Sequence, residues 1–480
     1  MYPTPSTYSL PLLLLVMFVI LVSALGGDDA PPVPPPPSGT DTPNVCAHWQ
    51  HDAQRAISGG NGVGPYGAEI GKAKAMGVDC FALNIISWNS VQKAEINNLW
   101  TAAENWNASH PNDKFFLFPR LDICCGMSEA TIDAIHADHY NSPARLRVDG
   151  GRYGDNRPVT GTWHGETTEW TSGDSPQATW TRIQNEWNAD GKPAFFMPYF
   201  WHQGSDTAAL FDRWDGADPN SQSDDVVDAL SQWDGFAQGD NSISASQVNH
   251  EFDVQADARP GMDMMAGCSP VFNRHSGTEQ FGNRILSDFE GFHAWKTCHE
   301  GVVQDQPRFL EYITWNDYLE GTTLGGPYPG QLPSSWANND LDHAAYRKLA
   351  EYYIGWYKTG ARPTITNDTI AIAHRLSSKN AVASGDPLPK PEGWEQVEDV
   401  LYAAVILKEP AQIRLHSDNT SQTFDVASGV HEVSMPFAEG SQRIVLLRNG
   451  QTRLVATSSK PIDNDITIYN FNYNTAWAEN

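Results

Sequence analysis

Between residues 45 and about 360, short apolar runs alternate with longer stretches whose apolar positions recur at helical spacing, the pattern of repeated βα units. The runs at 45–49 (VCAHW), 80–85 (CFALNI), 115–119 (FFLFP), 158–163 (PVTGTW), 194–198 (AFFMP), 235–237 (GFA), 262–267 (MDMMAG) and 309–314 (FLEYIT) predict eight strands. Residues 90–106 predict a helix, with Ser90 as N-cap and Val91, Ile96, Leu99, Ala103 and Trp106 on one face. Residues 341–358 predict the last helix, stopped by Gly360 at C′ with Pro363 beyond it. Eight strands separated by helices over about 315 residues predict a (β/α)8 TIM barrel whose excess length sits in the βα loops. An open doubly wound sheet is the alternative.

Past residue 364 the period drops to two. The runs at 400–407, 412–416, 430–435, 443–447, 453–457 and 466–471 predict an antiparallel β-sandwich, with Asn449-Gly450 as a type I′ hairpin turn. No repeat of solenoid length is present. The expected division is a barrel over 44–363 and an accessory sandwich over 364–480.

Ahead of these, residues 12–22 (LLLLVMFVILV) form an unbroken apolar run followed by Val22-Ser23-Ala24. Eleven residues fall short of the about 20 that span a bilayer, so residues 1–26 predict a cleaved secretory signal. The first basic residue is Arg55, which leaves an uncleaved N-terminal anchor as the alternative. Residues 27–43 predict a proline-rich linker. The expected product is an extracellular or cell-surface monomer. Its six cysteines permit up to three disulfides with the pairing open, and Asn107, Asn367 and Asn419 stand in glycosylation sequons.

Charge narrows the partners. With 58 acidic and 31 basic residues the net charge is −27, which repels nucleic acid, acidic membranes and anionic polysaccharides but not a neutral polymer. Seventeen tryptophans add flat apolar faces of the kind that stack on sugar rings. No HExxH, CxxC, P-loop or Gly-x-Ser-x-Gly occurs, and Gly62-Val-Gly-Pro-Tyr-Gly67 does not directly follow a strand and carries Pro65 where an N–H is needed. The calcium-loop-like start at Asp218 fails at Ser223 and Ala229. No cofactor and no metal is expected.

In a barrel the reactive residues lie at the C-terminal ends of strands. That rule selects Asp122, Glu166, Asp234, and the pair Asp317 and Glu320, which stand three residues apart beside Trp315, Asn316 and Tyr318. Two carboxylates flanking one bond are the requirement for glycoside hydrolysis. Trp88, Trp163, Trp201, Trp233 and Trp315 fall at or near strand ends, where either a sugar platform or core packing accounts for them. His48 lies near the end of the first strand and Asp79 just ahead of the second, at the end normally devoted to stability.

EYITWNDYLEG (311–321), GKAKAMGVDCFALNI (71–85), CAHW (46–49), FFMP (195–198) and KLAEYYIGWYKTG (348–360) resemble, in order, the text of glycoside hydrolase family 71. These are the α-1,3-glucanases, or mutanases. The resemblance covers about 45–360; Leu319 stands where the family's WNDYGE has glycine, and 262–275 follows the family only loosely. It implies hydrolysis of α-1,3-glucan with inversion, Asp317 and Glu320 as catalytic acids, a catalytic contribution from Asp79, and His48 and Glu166 in contact with substrate. Glu320 is assigned as general acid and Asp317 as base, the reverse being open. Another α-linked polysaccharide, or carbohydrate binding without catalysis, are the alternative functions.

Overall fold

The apolar runs fold as strands because β-branched and aromatic residues alternate between two buried faces. The computed structural model describes residues 44–51, 60–123, 127–166, 173–200, 207–215, 226–233, 244–277, 282–326 and 341–480. The N-terminal apolar run and the proline-rich segment lie outside them. Among the described residues, no helix is long and apolar enough to cross a membrane.

Among the described residues, eight parallel strands, with a two-residue antiparallel strand at Arg147–Val148 beside the fourth, form one sheet: β1 (Asn44–His51), β2 (Cys80–Ile85), β3 (Phe116–Asp122), β4 (Arg157–Trp163), β5 (Phe195–Phe196), β6 (Ala229–Ser231), β7 (Asp263–Cys268) and β8 (Phe309–Tyr312). They pair in the order β5-β4-β3-β2-β1-β8-β7-β6, so the first and last strands are neighbours. Between the two outermost strands, Asp228 N donates to Phe196 O and Ser231 N to Pro198 O, each at 2.9 Å. The sixth strand thus occurs at 229–231, ahead of the expected 235–237, which lies outside the described residues. It is only three residues long and contains a serine, so its sequence carries no apolar run.

The helices α1 (Val63–Met76), α2 (Ser90–Ser109), α3 (Glu129–Ala137), α4 (Pro176–Ala189), α5 (Thr207–Trp214), α6 (Ala245–Asp257), α7 (His293–Asp305) and α8 (Ala344–Thr359) follow the strands. The N-cap of α2 is Asn89, one residue before the expected Ser90, with its side chain accepting from Val91 N and Gln92 N. Helix α8 ends as expected at Gly360 in the left-handed region.

Alternation along the strands separates two cores. Val45, Ala47, Trp49, Phe81, Leu83 and Leu117 share a cluster with apolar residues of the helices. Cys46, Cys80, Ala82, Phe118, Val159, Phe195, Met265 and Phe309 pack with one another across the opposite face of the sheet. Cys46 and Cys80, in direct register on β1 and β2, form a disulfide there, and a second joins Cys268 at the end of β7 to Cys298 on α7.

Two further four-stranded antiparallel sheets follow. They contain β9 (Thr369–Arg375), β10 (Val400–Leu407), β11 (Ala411–Ser417), β12 (Thr420–Val426), β13 (Gly429–Pro436), β14 (Gln442–Arg448), β15 (Gln451–Thr457) and β16 (Tyr473–Glu479), ordered β13-β10-β9-β16 and β12-β11-β14-β15. Ile370, Leu401, Val405, Ile413, Leu415, Ile444 and Leu446, drawn from both sheets, share one core. Asn449 and Gly450 take the positive φ values of 53° and 73° that a type I′ turn requires. Strand β12 escapes the hydrophobic pattern because both faces are largely polar, and the expected strand at 466–471 is displaced to Tyr473–Glu479.

Candidate active site

The face of the sheet that begins with the Cys46–Phe118–Phe309 layer turns polar toward the C-terminal ends of the strands. Two residues further along β1 and β8, His48 Nδ1 lies 3.1 Å from Glu311 Oε1, both fully buried. Glu311 Oε2 pairs with Arg120 Nη1 on β3 at 2.6 Å, and Arg120 Nη2 donates to Ser231 Oγ on β6 at 2.6 Å. Burial pushes the Arg120 guanidinium below its ordinary value, against the pull of Glu311. Of this layer His48 is expected from the sequence, while Glu311, Arg120 and Ser231 are not; a glutamate inside the apolar FLEYI run is the visible signal. The layer forms the floor of what lies above.

Another step along the strands stand Gln50 on β1, Asn84 on β2 and Asp122 on β3. Asn84 Nδ2 donates to Asp122 Oδ2 at 3.2 Å. After β8 the chain bends into a loop that is bonded to the end of β1. Trp315 N donates to His48 O (2.8 Å), Gln50 N donates to Asn316 Oδ1 (2.8 Å), and Asn316 Nδ2 donates to Gln50 O (3.0 Å). The amide of Asn316 therefore extends the strand pairing with a side chain.

This clamp presents Asp317, which is 2 % exposed. Its Oδ2 accepts from Gln50 Nε2 (3.2 Å) and its Oδ1 from the main-chain N–H of Glu320 (3.0 Å), while its own N–H donates to Thr314 Oγ1 (2.8 Å). Each carboxyl oxygen thus accepts one hydrogen bond, which fixes the orientation of the group. Glu320 is only half-buried, its Oε1 lying 3.6 Å from Arg274 Nη1. The two acids thus share one turn but differ in exposure.

Aromatic rings line the same end. The His48 ring meets the edge of Trp233 at 4.4 Å between centroids, and Trp163 lies 6.1 Å from Trp233 and 6.2 Å from Tyr199. Trp163 is half-buried at the end of β4. Beside it, His164, at φ 59°, places Nδ1 2.9 Å from Glu166 Oε1. Trp88 is also half-buried, with Lys93 Nζ 5.2 Å from its ring.

Three expected site residues are turned elsewhere. Trp315 is fully buried, its indole Nε1 donating to Glu69 Oε2 of α1 at 3.0 Å, so it packs behind the loop. Tyr318 is buried, and its hydroxyl sits so close to Gly326 that a β-carbon there would come within 2.7 Å of it. Asp79 precedes β2 at the opposite end of the sheet, about 20 Å from Asp122 at the rise of an extended strand. It accepts from Val45 N (3.1 Å), Lys74 Nζ (3.3 Å) and Lys358 Nζ (2.7 Å). An aspartate before a strand reads alike whether it caps or catalyses; only its partners separate the two. Trp201 and Asp234 lie outside the described residues.

The profile described as glycosyl hydrolase family 71 matches residues 56–480. A glucan endo-1,3-alpha-glucosidase of Schizosaccharomyces pombe is 26 % identical over 440 residues, spanning 90 % of this chain and 91 % of that protein. A mutanase of Penicillium rubens is 25 % identical over 409 residues (83 % and 82 %). An ascus wall endo-1,3-alpha-glucanase of Schizosaccharomyces pombe is 25 % identical over 430 residues (85 % and 92 %). Among solved structures, a GH99 endo-alpha-mannosidase from Bacteroides thetaiotaomicron aligns at a TM-score of 0.48 with 9 % identity, over 66 % of this chain and 98 % of that one.

Proposed function

The chain belongs to glycosyl hydrolase family 71, and we infer that it hydrolyses α-1,3-glucan by inversion, with Glu320 as general acid and Asp317 as general base. The observation that carries this reading is the single turn after β8 that holds both acids, with Asp317 fixed by amide donors from Gln50 and Glu320. Asp317 takes a proton from a water as that water attacks the anomeric carbon. The bond to the glycosidic oxygen breaks, and that oxygen receives the proton of Glu320. Inversion leaves room for the water when the two carboxyl groups stand about 6.5–9.5 Å apart.

His48, held by Glu311, with Asp122 and Glu166 supplies hydrogen bonds to sugar hydroxyls, and Trp163 with Trp233 offers apolar ring faces. The backbone bonds from Asp228 and Ser231 across the outermost strands support reading the parallel sheet as a closed (β/α)8 barrel. The shared core of the two antiparallel sheets supports a β-sandwich over 364–480. An acidic protein facing a neutral polymer, with an N-terminal apolar run, fits action outside the cell or at the cell surface.

Time-resolved product analysis on α-1,3-, α-1,4-, α-1,6- and β-1,3-glucans tests this. The expected result is cleavage of the α-1,3 polymer alone, with the β-anomer of the new reducing end appearing first. The α-anomer appearing first would overturn inversion, and no cleavage of α-1,3-glucan would overturn the substrate.

A further inference from the structure

Residues 469–475 read Tyr-Asn-Phe-Asn-Tyr-Asn-Thr, with an asparagine at every second position. The strand begins only at Tyr473, after a bend at Asn472 where Asn470 Oδ1 accepts from Asn472 N at 3.0 Å, and the asparagine side chains meet the loops after β7 and β8. Asn273 Nδ2 donates to Asn470 Oδ1 at 3.4 Å, and the main-chain N–H of Asn273 donates to the carbonyl of Glu320 at 2.9 Å. Asn472, fully buried, donates from Nδ2 to the carbonyl of Gly321 at 3.0 Å. His343 lies between the carbonyls of Thr323 (2.7 Å) and Tyr473 (3.1 Å), and Asn474 Oδ1 accepts from Asp342 N at 3.2 Å.

Tyr473 anchors this segment from the intervening positions. Its hydroxyl donates to Asp288 Oδ1 at 2.6 Å, and the buried Arg375 guanidinium lies 4.3 Å from its ring centroid while bonding the same carboxylate at 2.8 Å. Burial opposes the charge on Asp288, but Arg375 and the Tyr473 hydroxyl hold its carboxyl below the usual range. The segment is therefore pinned on one side while it grips the catalytic loop on the other.

Three carbonyls of the loop, at 320, 321 and 323, are thus fixed from outside the parallel sheet. The carboxyl group of Glu320 goes where its backbone goes. A displacement of about 1 Å in a reacting group can cost on the order of a hundredfold in rate. We propose that Asn472, seconded by Asn470 acting through Asn273, is a positioning residue for Glu320. The C-terminal sheets are accordingly a fixed wall of the catalytic site and not an independent polysaccharide-binding module. This rests on the assignment of Glu320 to the reaction.

The test compares full-length Asn472→Ala, Asn470→Ala, Glu320→Gln and, as a control on the exposed face of β11, Gln412→Ala. Each is assayed on a soluble α-1,3-linked glucooligosaccharide and on insoluble α-1,3-glucan, with pH profiles and thermal melts. Asn472→Ala is expected to lower kcat at least about tenfold on both substrates with KM within about twofold, and to move one limb of the pH profile. Asn470→Ala should follow in the same direction by less, and Gln412→Ala should match the parent. Loss confined to the insoluble polymer overturns the proposal in favour of a binding module. A lowered Tm with unchanged kcat per folded molecule overturns it in favour of a structural contact alone. Should Asn472→Ala fail to fold, Asn470→Ala decides by the same criteria. An active Glu320→Gln removes the catalytic assignment itself, whereas an inactive Glu320→Gln beside a fully active Asn472→Ala removes only the positioning role.

Discussion

The two ends of the parallel sheet each hold an aspartate, and they are treated in opposite ways. Asp79, at the N-terminal end, is matched by the ammonium groups of Lys74 and Lys358 and by the N–H of Val45. Its charge is neutralised within a structural knot that ties α1, β1 and α8 together. Asp317, at the C-terminal end, receives amide donors from Gln50 and Glu320 and stands one turn from a second acid whose side chain is 21 % exposed. Residue type is the same; what differs is the partners named here, ammonium groups at Asp79 and amide N–H donors at Asp317. An ion pair with lysines ties a carboxylate to the fold, while amide donors orient one.

That contrast breaks most visibly at the acids themselves. Glu320→Gln and Asp317→Asn should each lower kcat by about 10²–10⁴ with thermal melts near the parent's, since proton transfer is lost but the loop's backbone bonds are not. Retained turnover in either variant would erase the distinction between the two ends. The next largest effect is the converse. Asp79→Asn strands two lysines and should cost about 1–3 kcal/mol once screening at this half-buried site is allowed for, with kcat per folded molecule unchanged. A fall in kcat without a fall in Tm would carry Asp79 into the catalytic set.

A smaller change sharpens the C-terminal end. Trp163→Ala should raise KM for α-1,3-glucooligosaccharide about tenfold, the worth of one ring face at about 1–1.5 kcal/mol, with kcat little altered. An unaltered KM would leave Trp163 as packing for Tyr199 and Trp233. A pH-dependent effect belongs to a carboxylate at neither end. Asp253 on α6 is pushed up from 3.8 to about 7, by burial first and then by Asp257 and Asp305. A carboxyl whose folded-state value exceeds its unfolded one binds its proton more tightly when folded. Stability therefore falls as pH rises from about 4 to about 7 and stays low above that. Asp253→Asn should flatten this slope in melts taken across the window; a slope equal to the parent's would show that Asp253 does not cause it.

Much of this was legible in order along the chain. Seven of the eight parallel strands coincide with apolar runs, and the pair Asp317 and Glu320 lies in the loop that the barrel rule selects. What escaped did so for identifiable reasons. Strand β6 is three residues of an unremarkable sequence and is defined by its neighbours' hydrogen bonds. Strand β12 is polar on both faces, so no period marks it. Trp315 and Tyr318 flank the acids in sequence, but successive residues of a tight loop point in different directions, and both turn into the core. Asn107 stands in a sequon, yet it is buried with its amide bonded both ways to the backbone of Phe115.

The sequence by itself determined the alternation of strands and helices, the change to period two near residue 364, and the acid pair in its loop. These depend on local spacing and on residue type, both of which a linear text records. The structure alone decided which carboxylates are ion-paired, which aromatic rings gather at the C-terminal ends of the strands, and that an asparagine some 150 residues downstream reaches the carbonyl beside Glu320. Such contacts join residues remote in the chain, and burial and partner geometry, which exist only once the chain is folded, determine what each of them does.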